Sequence, residues 1–92
     1  MSYAAIDPLI SKWASTHSLT IYTQYQGEEV RSVDLISPQG RKYQIWIDLP
    51  EGRKVAIHAW DYKKSRRDWN GSVDQVTKNL EEAIQTVKSW MA

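Results

Sequence analysis

The chain has 92 residues, of which 41% are hydrophobic and 25% are charged. This length allows a single domain over residues 1–92 and excludes a second core. The net charge of +1 argues against a general polyanion binder, and the absence of cysteine excludes disulfides and cysteine-ligated metals. No apolar run reaches membrane-spanning length and the N-terminus lacks the features of a signal peptide, so we expect a cytoplasmic protein that does not contact a membrane.

The first predicted element is a helix in the segment DPLISKWAST. Asp7 can cap this helix, and Pro8 suits its first position because that residue needs no N–H donor. Apolar residues then recur every three or four positions, which predicts one buried stripe. The stripe consists of Ile6, Leu9, Ile10, Trp13 and Ala14.

Four runs rich in β-branched and aromatic residues come next, separated by QGE, PQG and PEG. They predict β-strands over residues 19–25, 30–37, 41–49 and 53–62. Each separator contains a glycine that can adopt positive φ, which favours tight turns between antiparallel neighbours. Residues 63–71, between these runs and the last helix, are predicted to form a loop.

The last predicted element is a long amphipathic helix in SVDQVTKNLEEAIQTVKSWMA. Ser72 and Gln75 have the spacing of a capping box, and the apolar residues that follow recur at helical spacing. Helix, four strands and helix together predict an α+β fold in two layers. The sheet would be a four-stranded antiparallel meander, with the N- and C-terminal helices packed on one face.

Alternation along the strands predicts which residues face each other. If the PEG turn joins residue 49 to residue 53, Ile47 lies opposite Val55 and Ile45 lies opposite Ile57. If PQG joins residue 37 to residue 41, Val33 lies opposite Ile45. These rows would form the core face beneath the helices.

The opposite face of the predicted sheet is unusually aromatic. A meander covered by helices on one side normally presents polar residues to water on the other. Here the alternation places Tyr22, Trp46, Trp60 and Tyr62 on that face. We predict that these four residues bind a partner, with the two Trp as anchors, because Trp and Tyr dominate interface centres.

A basic run adjoins the aromatic face. Residues 41–67 contain eight of the twelve Lys and Arg of the chain, but three Asp and Glu. Because the third and fourth strands are antiparallel, cations at the start of one and the end of the other would form a single rim. The rim is either a solvated edge or a set of partner-binding residues, namely Lys42, Lys63, Lys64, Arg66 and Arg67.

Three interpretations of this surface remain open. In the first, Lys42 only shields Trp60, and the cations prevent edge-to-edge aggregation. In the second, the face binds a protein, which includes a second copy of the chain. In the third, it binds single-stranded nucleic acid, whose bases stack on aromatic side chains beside a basic groove. The near-neutral charge and the lack of a ribonucleoprotein-type motif favour protein over nucleic acid.

The sequence contains little that predicts an enzyme. Two histidines without cysteine supply too few ligands for a structural zinc site, and there is no glycine-rich phosphate loop or nucleophile elbow. His58 could meet Asp34 across Gln44, but an open sheet offers no sheltered pocket, so we interpret His58 as a solvated strand residue. We therefore predict a small non-enzymatic module that binds protein, with nucleic acid as the alternative. No cofactor, metal or small-molecule substrate is predicted.

Overall fold

The structure, a computed structural model, describes residues 2–92, which contain two α-helices and five strands. The strands form one antiparallel sheet in the order β1-β2-β3-β4-β5. In chain order the elements are α1 (Asp7–Thr16), β1 (Tyr22–Tyr25), β2 (Glu28–Ile36), β3 (Lys42–Ile47), β4 (Lys54–Trp60), β5 (Arg66–Ser72), a 3₁₀ turn (Val73–Gln75) and α2 (Val76–Met91). The α+β class is therefore confirmed, but the predicted number of four strands is wrong. Within residues 2–92, no helix combines the length and the apolar character that crossing a membrane requires.

The fifth strand occupies the segment that the sequence predicted as a loop. Its residues, RRDWNGS, include no β-branched side chain and lack an apolar alternation. It nevertheless pairs with β4 along the whole length of both strands, with Trp69 opposite Ile57. Trp69 is the one buried residue of β5. Pairing with a neighbour and burial of one large side chain thus outweigh a weak local preference for strand.

The register between β2 and β3 is the predicted one, whereas that between β3 and β4 is displaced by two residues. Ile47 lies opposite Ile57 rather than opposite Val55. Backbone hydrogen bonds close the intervening turn between Glu51 and Lys54, so the turn is centred later in the chain than predicted. Because the displacement is an even number of residues, every side chain keeps its predicted face.

Both helices contribute to one buried cluster on a single face of the sheet. α2 packs across β3, β4 and β5, and α1 packs beside α2. The predicted apolar stripes are confirmed in both helices, with Trp13 buried in α1 and Trp90 partly buried at the end of α2. The strands supply to this cluster Val33, Leu35, Tyr43, Ile45, Ile47, Val55, Ile57, Ala59 and Trp69.

α1 begins one residue earlier than predicted, and Asp7 does not cap it. The N-cap residue is Ile6, which has no side-chain cap. The Asp7 carboxylate instead accepts two hydrogen bonds from Arg31 of β2, from Nε at 2.7 Å and from Nη2 at 3.1 Å. These hydrogen bonds lower the pKa of Asp7. The Arg31 guanidinium also lies 4.3 Å from the centre of the Tyr3 ring, so a buried cation links the start of α1 to the sheet.

Candidate functional site

The outer face of the sheet, opposite the helices, carries the predicted aromatic residues. Trp46 of β3 lies between Ser32 of β2 and His58 of β4. Trp60 of β4 lies one row further, next to Arg66 of β5. Both Trp are partly buried. The structure thus brings the two predicted anchors together on adjacent strands.

The tyrosines of the outer face are more exposed than the tryptophans. Tyr22 is 49% exposed and Tyr62 is 38% exposed. Tyr25 and Ile36, which sequence reasoning did not single out, are 64% and 68% exposed. A register irregularity between residues 22 and 24 places Tyr22 and Tyr25 on the same face, although their numbers differ in parity. That irregularity is why simple alternation missed Tyr25.

His58 lies at the centre of the outer face, held between two carboxylates. Its Nδ1 is 2.6 Å from Oδ1 of Asp68, and its Nε2 is 2.7 Å from Oδ2 of Asp48. The imidazole stacks on Trp46 with 4.7 Å between ring centres, and 13% of the side chain is exposed. The imidazole is therefore held in place from both of its ring nitrogens.

The interpretation of His58 as a solvated residue near Asp34 is wrong. The displaced register places His58 opposite Trp46, and β5 supplies Asp68 on its other side. Sequence reasoning missed Asp68 because it predicted no fifth strand. The sequence indication of a fifth strand was the alternation of Arg66, Asp68 and Asn70 after a turn. This indication is weak because polar residues are also common in loops.

Arg66 extends the charged cluster towards the aromatic residues. Its Nε donates to Oδ1 of Asp68 at 3.1 Å, and its guanidinium lies 5.3 Å from the centre of the Trp46 ring. The hydrogen bond from His58, followed by that from Arg66, lowers the pKa of Asp68. Trp46 is therefore covered by a histidine and an arginine whose positions are fixed by the same carboxylate.

Tyr62 forms a second cluster at the far end of β4. Its ring centre lies 4.6 Å from that of Trp60, and its hydroxyl donates to Oδ1 of Asp34 at 3.3 Å. Lys42 lies 3.6 Å from Asp34 and 5.5 Å from the centre of the Tyr62 ring, so it covers Tyr62 and not the predicted Trp60. Burial, and then the negative charge of Asp34, raise the pKa of Tyr62.

Tyr62 adopts an unusual backbone conformation, with φ at +64°. For a residue with a large side chain this left-handed conformation costs about 1–2 kcal/mol. Its contacts with Trp60, Asp34 and Lys42 offset that cost. A glycine would fit the turn without strain, so the side chain rather than the backbone accounts for a tyrosine at this position.

The predicted basic rim is divided by the fold. Lys63 and Lys64 lie in the turn between β4 and β5, which the Asp61 carboxylate stabilises by accepting backbone N–H bonds from Lys63 and Ser65. Within residues 2–92 neither lysine forms an ion pair. Arg67 points to the other side of the sheet. There it lies 4.9 Å from the centre of the Trp69 ring and 3.9 Å from Glu82 of α2.

The titratable groups at the centre of the outer face are engaged with one another. Both nitrogens of His58 are engaged with carboxylates, so neither can accept a proton from a substrate in this arrangement. Among residues 2–92, no three His, Asp or Glu side chains converge in a way that could hold a metal ion. The face presents aromatic rings together with paired charged side chains.

Comparisons with family models, with curated protein sequences and with solved structures found no match to this chain.

Proposed function

We propose that the protein is a non-enzymatic binding module that acts through protein–protein contacts on the outer face of its sheet. The observation that carries the proposal is a sheet face opposite the helices with five aromatic side chains. The three tyrosines among them are 38–64% exposed. Such a face is normally polar in a two-layer fold. The five aromatic residues are Tyr22, Tyr25, Trp46, Trp60 and Tyr62.

The arrangement of these residues resembles the centre of a protein interface. Partly buried Trp46 and Trp60 are surrounded by more exposed tyrosines. Charged side chains lie between the rings in neutralising pairs, such as Arg66 with Asp68. Tyrosine offers a large rigid contact area and a hydroxyl for hydrogen bonding, at a low cost in side-chain entropy. A partner could therefore cover Trp46 without isolating the charge of Arg66 or of Asp68.

Two features favour protein over single-stranded nucleic acid as the ligand. First, base stacking needs open ring faces. Trp46 is stacked on His58 and approached by Arg66, and Trp60 is in contact with Tyr62. Second, three carboxylates lie among the rings and would repel phosphates. They are Asp34, Asp48 and Asp68.

Site-specific photocrosslinking tests this proposal. A benzoylphenylalanine residue would replace Tyr22 in the full chain, expressed in its native host cells. A matched control would carry the same group at Gln85, an exposed residue of α2 on the opposite layer. We expect discrete protein adducts from position 22 that are absent from position 85. Equal adducts from both positions, or adducts to nucleic acid, would contradict the proposal.

A further inference from the structure

One end of the sheet carries more unpaired cations than acids. The turns of a meander alternate between its two ends, so the β2–β3 turn and the β4–β5 turn lie at the same end. Residues 37–41 and 61–65, which form these turns, contain the exposed cations Arg41, Lys63 and Lys64. Within residues 2–92 none of the three forms an ion pair. We call this end the basic end of the sheet.

The two turns contain a single carboxylate, and it is turned towards the backbone. Asp61 accepts N–H bonds from Lys63 and Ser65, at 2.8 and 3.0 Å. It forms no ion pair with the side chain of either neighbouring lysine. α2 also ends here, beside Arg41, and its last turn adds Lys88. The basic end therefore holds a surplus of positive charge.

The opposite end of the sheet is balanced. It holds the β1–β2 turn and the β3–β4 turn. Its exposed charges that form no ion pair within residues 2–92 are the cations Arg53 and Lys54 and the acids Glu28 and Glu51. Two charges of each sign cancel, so of the two ends only the basic end carries a surplus.

Two exposed apolar side chains lie beside the cations, in the last row of the outer face. Ile36 of β2 lies opposite Lys42 of β3. Tyr62 follows the end of β4, and Lys42 lies 5.5 Å from the centre of its ring. Ile36 is 68% exposed, the highest value among the large hydrophobic side chains of residues 2–92, and Tyr62 is 38% exposed. The basic end thus combines positive charge with exposed apolar area.

From this combination we infer that the partner of the outer face is a protein that presents an acidic segment with apolar side chains to the basic end. The inference rests on the proposed function and specifies the chemistry of the partner. Carboxylates of the segment would meet Lys63 and Lys64, and an apolar side chain would cover Ile36. Arg41, in the neighbouring turn, adds to the positive field. Opposite charges across an interface speed association and exclude partners of the wrong charge.

A basic protein or a nucleic acid fits this end less well. A basic protein would meet Lys63 and Lys64 with charge of the same sign. A nucleic acid would find cations, but Ile36 is aliphatic and offers no ring on which a base could stack. Its phosphates would also approach Asp34, whose carboxylate accepts a hydrogen bond from Tyr62.

A second copy of the chain offers no matching acidic surface at its sheet ends. The unpaired acids of that copy, Glu28 and Glu51, are accompanied by Arg53 and Lys54. The basic end of one copy would therefore meet cations as well as acids on the other. A different protein with a surplus of carboxylates satisfies the basic end without this conflict.

Photocrosslinking with charge reversal at each end tests the inference. A benzoylphenylalanine residue would replace Gln39, an exposed residue of the β2–β3 turn, in the full chain expressed in its native host cells. Lys63→Glu with Lys64→Glu should lower the yield of protein adducts about tenfold, because the acidic segment then meets like charge. Arg53→Glu with Lys54→Glu is the matched control. It changes the net charge by the same amount at the balanced end and should keep the yield within about twofold.

Mass spectrometry of the adducts gives the sequence of the crosslinked segment. We expect it to contain more Asp and Glu than Lys and Arg, together with a large apolar residue. Replacement of its acids by Lys should restore the yield with the chain that carries Lys63→Glu and Lys64→Glu, since opposite charges then meet again. Arg41→Glu should also lower the yield, and it leaves the β4–β5 turn intact. Urea denaturation of each variant verifies that the chain is folded.

Three results would overturn the inference: equal losses from both reversals, no loss from the reversal at the basic end, or a crosslinked molecule that is a basic segment or a nucleic acid. Position 22 keeps such a failure distinct from a failure of the proposed function. Protein adducts from position 22 without any from position 39 would overturn the inference and still support the proposed function. Absence of protein adducts from both positions would remove both.

Discussion

The helix-covered face of the sheet buries aliphatic side chains in one continuous cluster, whereas the outer face carries aromatic rings fixed by ion pairs and hydrogen bonds. On β4 the two faces alternate within a few residues. Ile57 is completely buried in the cluster beneath the helices, and its neighbour His58 bridges two carboxylates. The first kind of contact gains free energy from the removal of apolar area from water. The second gains less net free energy but fixes the directions of the side chains.

On the helix-covered face, two buried polar atoms lack hydrogen-bond partners. They show that the free energy gained by burying apolar surface exceeds the cost of an unmade hydrogen bond. Within residues 2–92, the indole nitrogens of Trp13 and Trp69 are buried and have no hydrogen-bond partner. An unsatisfied donor costs about 1–3 kcal/mol. Burial of about 200 Å² of a Trp side chain contributes about 5 kcal/mol, which is enough to offset that cost. The outer face shows the converse, since its rings stay partly exposed while His58 and Arg66 are paired with carboxylates.

The largest difference between the faces should appear when Ile57 is truncated. Ile57→Ala removes a completely buried side chain and leaves a cavity, so we expect the free energy of unfolding to fall by about 3 kcal/mol. Urea denaturation of the original and altered chains measures this change. A loss below about 1 kcal/mol would show that the helix-covered face does not dominate stability.

The next largest loss of stability is expected when the buried cation Arg31 loses its partner Asp7. Asp7→Asn removes the two hydrogen bonds from the Arg31 guanidinium to a carboxylate and leaves it only the more distant Glu29, at 3.6 Å, so we expect a loss of about 1.5 kcal/mol at pH 7. Because the pKa of Asp7 is lowered in the folded protein, this contribution is present above the ordinary Asp pKa of about 3.9 and is lost as the pH falls below it. Urea midpoints measured from pH 7 to pH 3 should therefore converge. Glu51→Gln, in an exposed turn, is the control, and a constant difference across this range would contradict the assignment.

A smaller loss of stability is expected for a substitution at Gly71, near the junction of β5 and α2. A Cβ atom at Gly71 would lie 2.5 Å from Oε1 of Gln75 and 2.9 Å from Nδ2 of Asn79. Gly71→Ala should therefore displace the Gln75 side chain from the Ser72 N–H that it caps. We expect a loss of about 1 kcal/mol in thermal or urea unfolding. Gly40→Ala tests backbone strain alone, because it has positive φ but open space around it. If Gly71→Ala proves neutral, the capping box does not hold the junction.

On the outer face, removal of the His58 side chain should change the pKa of Asp68 more than it changes the free energy of unfolding. His58→Gln removes the hydrogen bond that is the main cause of the low pKa of Asp68, so that pKa should rise towards its ordinary value. The loss of stability should stay below about 1 kcal/mol because the pairs are partly exposed. Carbon NMR titration of the Asp68 carboxyl measures the shift. An unchanged Asp68 titration would show that the carboxylate does not depend on His58.

The smallest change in stability is expected for Tyr62→Gly. Relief of the strained backbone gains about 1–2 kcal/mol, whereas loss of the ring contacts and the greater freedom of glycine in the unfolded chain cost about as much. The unfolding midpoint should therefore change little, while association through the outer face should weaken. Photocrosslinking from position 22 and urea denaturation of the same variant separate the two. A stable variant with undiminished association would exclude Tyr62 from the contact.

The sequence by itself determined the helices, four of the strands and the face on which most of their side chains lie. These features follow from periodicity, which is local: an apolar residue every three or four positions predicts a helix stripe, and alternation predicts a strand face. The aromatic character of the outer face was visible for the same reason. Even the displaced register between β3 and β4 left Trp46 and Trp60 on their predicted face, because a shift of two residues preserves parity.

Only the tertiary structure decided which side chains meet on the outer face. β5 has no strand signal of its own, and its pairing with β4 brings Asp68 to His58 and turns Arg67 towards α2. The partners of His58 lie ten residues away on either side in the chain, so the contact depends on register rather than on any local pattern. Edge strands can be polar because one of their sides has no neighbour in the sheet, and for this reason their presence is settled by the strand beside them.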